Sequence, residues 1–208
     1  MRPVFLLSPA WCGGRRARIL LRDGAASAIA QRLRAGDLTL GEAFAFLSGL
    51  YFRGKLAYAC AFGRPLIITP TRGLLPPETP VSAALLREFA AVDVSASDSR
   101  YRRPLERDLG ALVAETAPVA RVVLLGSLAT GKYVDVLIDA LGERLHYPPA
   151  FVGRGDMSRG GLLLRSVAAG AELDYAPLDR GARLHGPRPP KLAPTPAARK
   201  PVRLVRVW

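Results

Sequence analysis

Three short stretches of the chain are apolar almost without interruption: Pro3 to Leu7, Pro65 to Thr69 and Val122 to Leu125. Polar positions would alternate if one face of such a run met water, so each predicts a strand buried on both faces. Between them the apolar positions recur at helical spacing. Ala25 to Arg34 predicts a helix that stops at Gly36-Asp37, and Thr39 with Glu42 three places on predicts a capping box opening the next. Ala43 to Leu50 and Lys55 to Phe62 predict helices broken around Ser48-Gly49 and Arg53-Gly54. Val81 to Ala90 and Leu105 to Glu115 predict two more. Further helices open at Lys132 and in Gly153 to Arg159, with an extended piece between them. Strands alternating with helices predict one α/β domain over residues 1–175, its mostly parallel or mixed sheet flanked by helices.

Each predicted strand runs into a polar loop: Ser8 to Arg16, Pro70 to Gly73, and Ser127 to Gly131. In open α/β sheets ligands gather beyond the carboxyl ends of strands, so these loops are candidate walls of one site. Glycine-bearing turns at helix starts suit an anion, because unpaired N–H groups and a partial positive charge meet there. The candidate ligand-binding residues are Ser8, Arg72, Ser127, Thr130, Arg154, Ser158 and Arg159, with the three arginines as anion clamps. Lys132 and Tyr133 are the candidate catalytic acid or base, Lys132 because a buried ammonium beside arginines can lose its proton near neutral pH. Asp156 reads as the N-cap of its helix. Gly126 to Lys132 has the G-x-x-x-x-G-K spacing of a phosphate-binding loop, but Tyr133 stands where Ser or Thr would hold Mg²⁺.

Composition changes this picture at one end. The net charge is +13, and from Ala176 to Trp208 eight Lys or Arg stand against Asp179 alone. Seven prolines in that segment fix φ and remove donors, so residues 176–208 predict a mobile or surface-draped basic tail without regular structure before Val202. Elsewhere arginine outnumbers lysine so strongly that the basicity reads as coding bias as much as a nucleic-acid footprint. The first apolar run is too short for a signal peptide, and no run approaches the roughly 18 residues of a membrane span. The expectation is a cytoplasmic protein without a membrane partner. His146 and His185 stand alone, so no metal site is expected, and no cofactor is implied. Cys60 reads as a core residue, while Cys12, next to Arg15 and Arg16, is a thiol whose pKa those arginines could lower.

Four blocks, in order, resemble the YaaA family of peroxide-stress proteins. They are Leu7-Ser8-Pro9-Ala10; Gly73-Leu74-Leu75 with Pro77; Ser127-Leu128-Ala129-Thr130 with Tyr133; and Arg154-Gly155 with Met157-Ser158-Arg159. The last two are similar to that family's Asn-Leu-Ala-Ser turn and its Arg-Gly-x-Met-Ser-Arg signature. The chain departs from the pattern at Ser127, in place of Asn, and at Lys132, in place of an acid. The resemblance implies a YaaA-like α/β domain, DNA binding, and protection when iron and peroxide coexist. Gln31 to Leu50 is the one candidate for the helix-hairpin-helix through which that family is thought to hold DNA. Three readings therefore stay open: a DNA-binding protein, an enzyme acting on a nucleotide, nucleobase or other small anionic substrate, and an interaction module without chemistry.

Overall fold

A computed structural model describes residues 2–116, 120–128, 132–182, 186–190 and 192. Its centre is β1 (Val4–Leu7), whose four side chains are all buried. β2 (Arg64–Ile68) pairs with it in parallel on one side, and β4 (Val122–Leu125) on the other. β5 (Leu145–Tyr147) extends the parallel pairing beyond β4. Two-residue strands running antiparallel, β3 (Leu74–Leu75) and β6 (Ala176–Pro177), close the two edges. The order is β3-β2-β1-β4-β5-β6. Pro65 is tolerated inside β2 because Arg64 N–H donates to the Pro3 carbonyl on the β1 side. The next nitrogen therefore faces the other way, below the point where β3 begins to pair.

The helices are α1 (Arg15–Leu20), α2 (Ala28–Ala35), α3 (Leu40–Ser48), α4 (Leu50–Phe62), α5 (Ala83–Ala90), α6 (Ser99–Glu115), α7 (Val134–Leu141) and α8 (Asp156–Ala169). The capping box at α3 is formed in both halves: Thr39 Oγ1 accepts from Glu42 N–H, and Glu42 accepts from Thr39 N–H. The domain is a single α/β unit, as the apolar pattern predicts. Among the described residues no helix is long and apolar enough to cross a membrane.

The differences from expectation have local causes. The break predicted at Arg53-Gly54 does not exist: α4 runs on to Phe62, and Gly54 is there to let α8 approach. A Cβ on Gly54 would lie 2.7 Å from the Gly160 carbonyl oxygen, and one on Gly160 would lie 2.8 Å from that of Leu50. α6 starts at Ser99, upstream of Pro104, which lies inside the helix and leaves the Arg100 carbonyl without its intrahelical donor. Asp156 is the first residue of α8 rather than its cap, which is Gly155. The loop after β1 contains a helix, α1. The tail is ordered at its start, since β6 pairs with β5, and Leu178 N–H donates to the Leu145 carbonyl. Residues 186–190 then cross Gly153, where a Cβ would meet the Pro187 carbonyl oxygen at 2.2 Å, so the tail is draped there. His185, Lys191 and residues 193–208 lie outside the described residues.

Candidate functional site

A crevice of about 450 Å³ opens beyond the carboxyl ends of β1, β2 and β4. Each strand contributes residues from the loop that follows it. Ser8 and Trp11 come from the loop after β1, Pro70 from the turn after β2, and Ser127 and Tyr133 from the turn after β4. Tyr51 and Lys55 on α4 line it too, with Lys132, Asp156 at the start of α8, and Asp93 just past α5. Three of the loops picked out in the sequence thus meet, because parallel strands deliver their carboxyl ends to the same side of the sheet.

The floor of this crevice is Lys55, 1% exposed. Its Nζ donates to the Ser8 carbonyl at 2.7 Å and to Ser8 Oγ at 2.8 Å. It also lies 4.7 Å from the Tyr51 ring centroid and 4.8 Å from that of Phe52. Burial is the main influence on its pKa; Asp156 raises it and Arg159 lowers it, leaving the ammonium to titrate at about 7. Tyr133, at the start of α7, donates to the Ser127 carbonyl at 2.9 Å, and its hydroxyl also adjoins Ser8. Burial pushes the Tyr133 phenol up to about 12, so it stays protonated at neutral pH. Tyr51 carries a buried hydroxyl that makes no well-formed hydrogen bond among the described residues, with the Arg159 guanidinium nearby.

The buried lysine expected at position 132 is therefore found at position 55. Lys132 lines the crevice but is exposed. The sequence did hold a signal. Tyr51, Phe52, Lys55, Leu56, Tyr58 and Ala59 make the buried stripe of α4, and the lysine falls inside it. With Arg53 beside a predicted helix break, it reads equally as a charge that could face an anion and as an ordinary solvated helix start.

The arginine clamp is not assembled. Arg72 makes a two-pronged pair with Glu88 at 2.9 and 2.7 Å and lines a separate shallow hollow with Thr71, Leu75, Leu85 and Arg107. Its partner is 16 positions away on α5, beyond what loop composition reveals. Arg154 donates to the Ala150 carbonyl, to Ser158 Oγ and to the Pro190 carbonyl, which ties the start of α8 to the tail. Arg159 is buried, donates to the Phe151 carbonyl at 3.2 Å and stands 3.7 Å from Asp156. Thr130 lies outside the described residues. The crevice is thus of mixed charge, with Lys55 and Lys132 facing Asp93 and Asp156.

The thiols also differ from expectation. Cys12 is buried in the crevice wall, and burial pushes its pKa up to about 12, so it is protonated and inert at neutral pH. Cys60 is the exposed one.

Family models, curated proteins and solved structures contain no match to this chain.

On one side of the crevice stands Trp11, 78% exposed. Its indole covers the backbone of Gly13 and Gly14, where a Cβ would sit 3.0 and 3.1 Å from ring atoms. The outer face of the ring is open to stacking from the crevice side.

Proposed function

We propose that the crevice binds a small nucleoside-class ligand, a nucleotide or a nucleobase, and that the chain acts on it. The observation that carries this reading is the exposed Trp11 indole beside a crevice at the carboxyl ends of β1, β2 and β4. β2 and β4 lie on opposite sides of β1, so the crevice sits where the strand order reverses, the usual ligand position in open α/β sheets. Its volume, about 450 Å³, falls in the range of small-molecule sites. Asp93, Asp156 and Ser127 can accept from ring and ribose donors, Lys132 can meet a phosphate, and Trp11 offers a stacking face.

Melting temperature and indole fluorescence, followed while nucleobases, nucleosides and nucleotides are titrated in, test the reading. At least one should stabilise the protein and quench the signal. Trp11→Ala should weaken binding about tenfold or more, since stacking on an aromatic platform contributes roughly 1–3 kcal/mol. If no member of the three classes stabilises the chain, or if Trp11→Ala changes nothing, the ligand class is wrong.

A second reading, nucleic-acid binding as in the resemblance to YaaA proteins, is favoured by the surface of α1. Arg15, Arg18 and Arg22 line a hollow with Ile19, and none has an ion pair among the described residues. Arg15 also borders a neighbouring hollow with Trp11 and Ser48, both of which line the crevice. Phosphates along α1 and a base at Trp11 would make one continuous track. The α2–α3 connection is a poorer DNA contact, because Asp37 and Glu42 there occupy Arg32. A part in peroxide stress follows from the resemblance alone.

A further inference from the structure

We propose that Ser8 and Lys55 are a nucleophile and its general base, and that they transfer an acyl group from a carboxylic ester or amide bound in the crevice. The inference rests on the crevice being the ligand site and specifies its reaction. Lys55 Nζ is 2.8 Å from Ser8 Oγ, within the reach a base needs, and both residues line the crevice. Among the described residues the lysine has no carboxylate within ion-pair distance; Asp156 favours its charged form only from farther off, and burial outweighs it. The groups facing it are Tyr51 and Phe52 on α4, Asp156 and Arg159 on α8, and, across Ser8, Tyr133. The burial that displaces its titration to about 7 makes a neutral amine abundant at physiological pH. Serine with a lysine base is a recognised alternative to serine with histidine.

The steps balance. When Lys55 is an ammonium it donates to both Ser8 oxygens. Once neutral it keeps one donor on the Ser8 carbonyl and turns its lone pair to the hydroxyl. Lys55 takes the hydroxyl proton as Oγ bonds to the carbonyl carbon and the carbonyl π pair moves to its oxygen. Collapse of that adduct breaks the bond to the leaving alcohol or amine, which recovers the proton from the Lys55 ammonium. Water, deprotonated by Lys55, then attacks the Ser8 ester; collapse of this second adduct breaks the bond from Oγ to the acyl carbon, Oγ takes the proton back from the Lys55 ammonium, and the carboxylic acid leaves. An acyl group suits the site better than a phosphoryl group, because Asp93 and Asp156 both line it and the base acts in its uncharged form.

The test is to treat the intact chain with a fluorophosphonate reporter and map the adduct by mass spectrometry. Attack by Ser8 Oγ forms a P–O bond and expels fluoride. The adduct should fall on Ser8, at a rate that rises about tenfold per pH unit below about 7 and levels off above it. Lys55→Met should lower the rate on the order of a hundredfold or more, and in Lys55→Ala, which vacates the side chain's space, added methylamine should restore part of it, which a purely structural lysine would not allow. No adduct on Ser8, a rate flat through pH 7, or wild-type labelling in Lys55→Met overturns the proposal. Should Lys55→Met fail to fold, the wild-type pH profile and the loss of labelling in Ser8→Ala decide alone. Wild-type protein that nucleosides stabilise but the reporter does not label defeats this pair only. Protein that is labelled yet unmoved by any nucleoside defeats the ligand class only.

Discussion

An ammonium buried at position 55 without a carboxylate beside it costs stability that two hydrogen bonds to Ser8 only partly offset. Its pKa falls from 10.5 to about 7 on folding. Between those values the unfolded chain holds the proton and the folded chain does not, so stability rises with pH across that window. Below about 7 both forms are charged and the full penalty applies, an upper limit of about 5 kcal/mol. Lys55→Met should therefore raise the melting temperature at pH 6, with a gain of about 1–4 kcal/mol, and flatten the rise in stability towards pH 10. A variant that melts no higher than wild type at pH 6 would show that the lysine is a stabilising plug. Retaining so expensive a residue is expected of a site that uses it. Residue identity alone could not place it: Lys55 and Lys132 look alike in sequence, and what separates them is which one falls within a buried helical stripe.

At the level of elements, most helices and the long strands were legible because period and capping agree, as at Thr39 and Glu42. Glycine was misread. Gly54 looks like a helix breaker, yet it and Gly160 are the points where α4 and α8 touch backbone to backbone. This crossing sets Lys55 on α4 against Asp156 and Arg159 at the start of α8. Gly160→Val would drive a side chain into the Leu50 carbonyl and the Tyr51 Cα, at 2.8 and 2.9 Å from a Cβ. It should cost about 1–3 kcal/mol in urea denaturation. Labelling of Ser8 should slow with it, because α4 must move away. An unchanged midpoint would mean that the two helices can separate freely. Gly73 has a comparable burden: φ is +65°, and a Cβ would strike Asp108, whose carboxylate accepts from Leu74 N–H at 2.8 Å. Its place in the turn is set by packing, so the Gly73-Leu74-Leu75 block carries less functional meaning than its loop position suggests.

For the molecule as a whole, the strand pattern led to the right sheet class and to the side on which three of its loops meet, while partners distant in sequence decided which charges stay free. Arg72 is neutralised by Glu88 and Arg154 is taken up by the tail, whereas Arg15, Arg18 and Arg22 on and beside α1 keep their charge for something else. If that something is a polynucleotide, affinity for a single-stranded oligonucleotide should fall steeply between low and moderate salt, through release of counterions. Reversing Arg15 and Arg18 to Glu should then reduce both the affinity and its salt slope, by about one per phosphate contact removed. Binding that ignores salt, or survives the reversal, would exclude α1. The sheet itself bears on how copies of the chain meet. Its outer strands, β3 and β6, are two residues long, and β6 ends in Pro177, which has no N–H to offer. Among the described residues neither margin offers a neighbouring molecule a ladder long enough to extend, so growth of one sheet into the next is disfavoured at both edges.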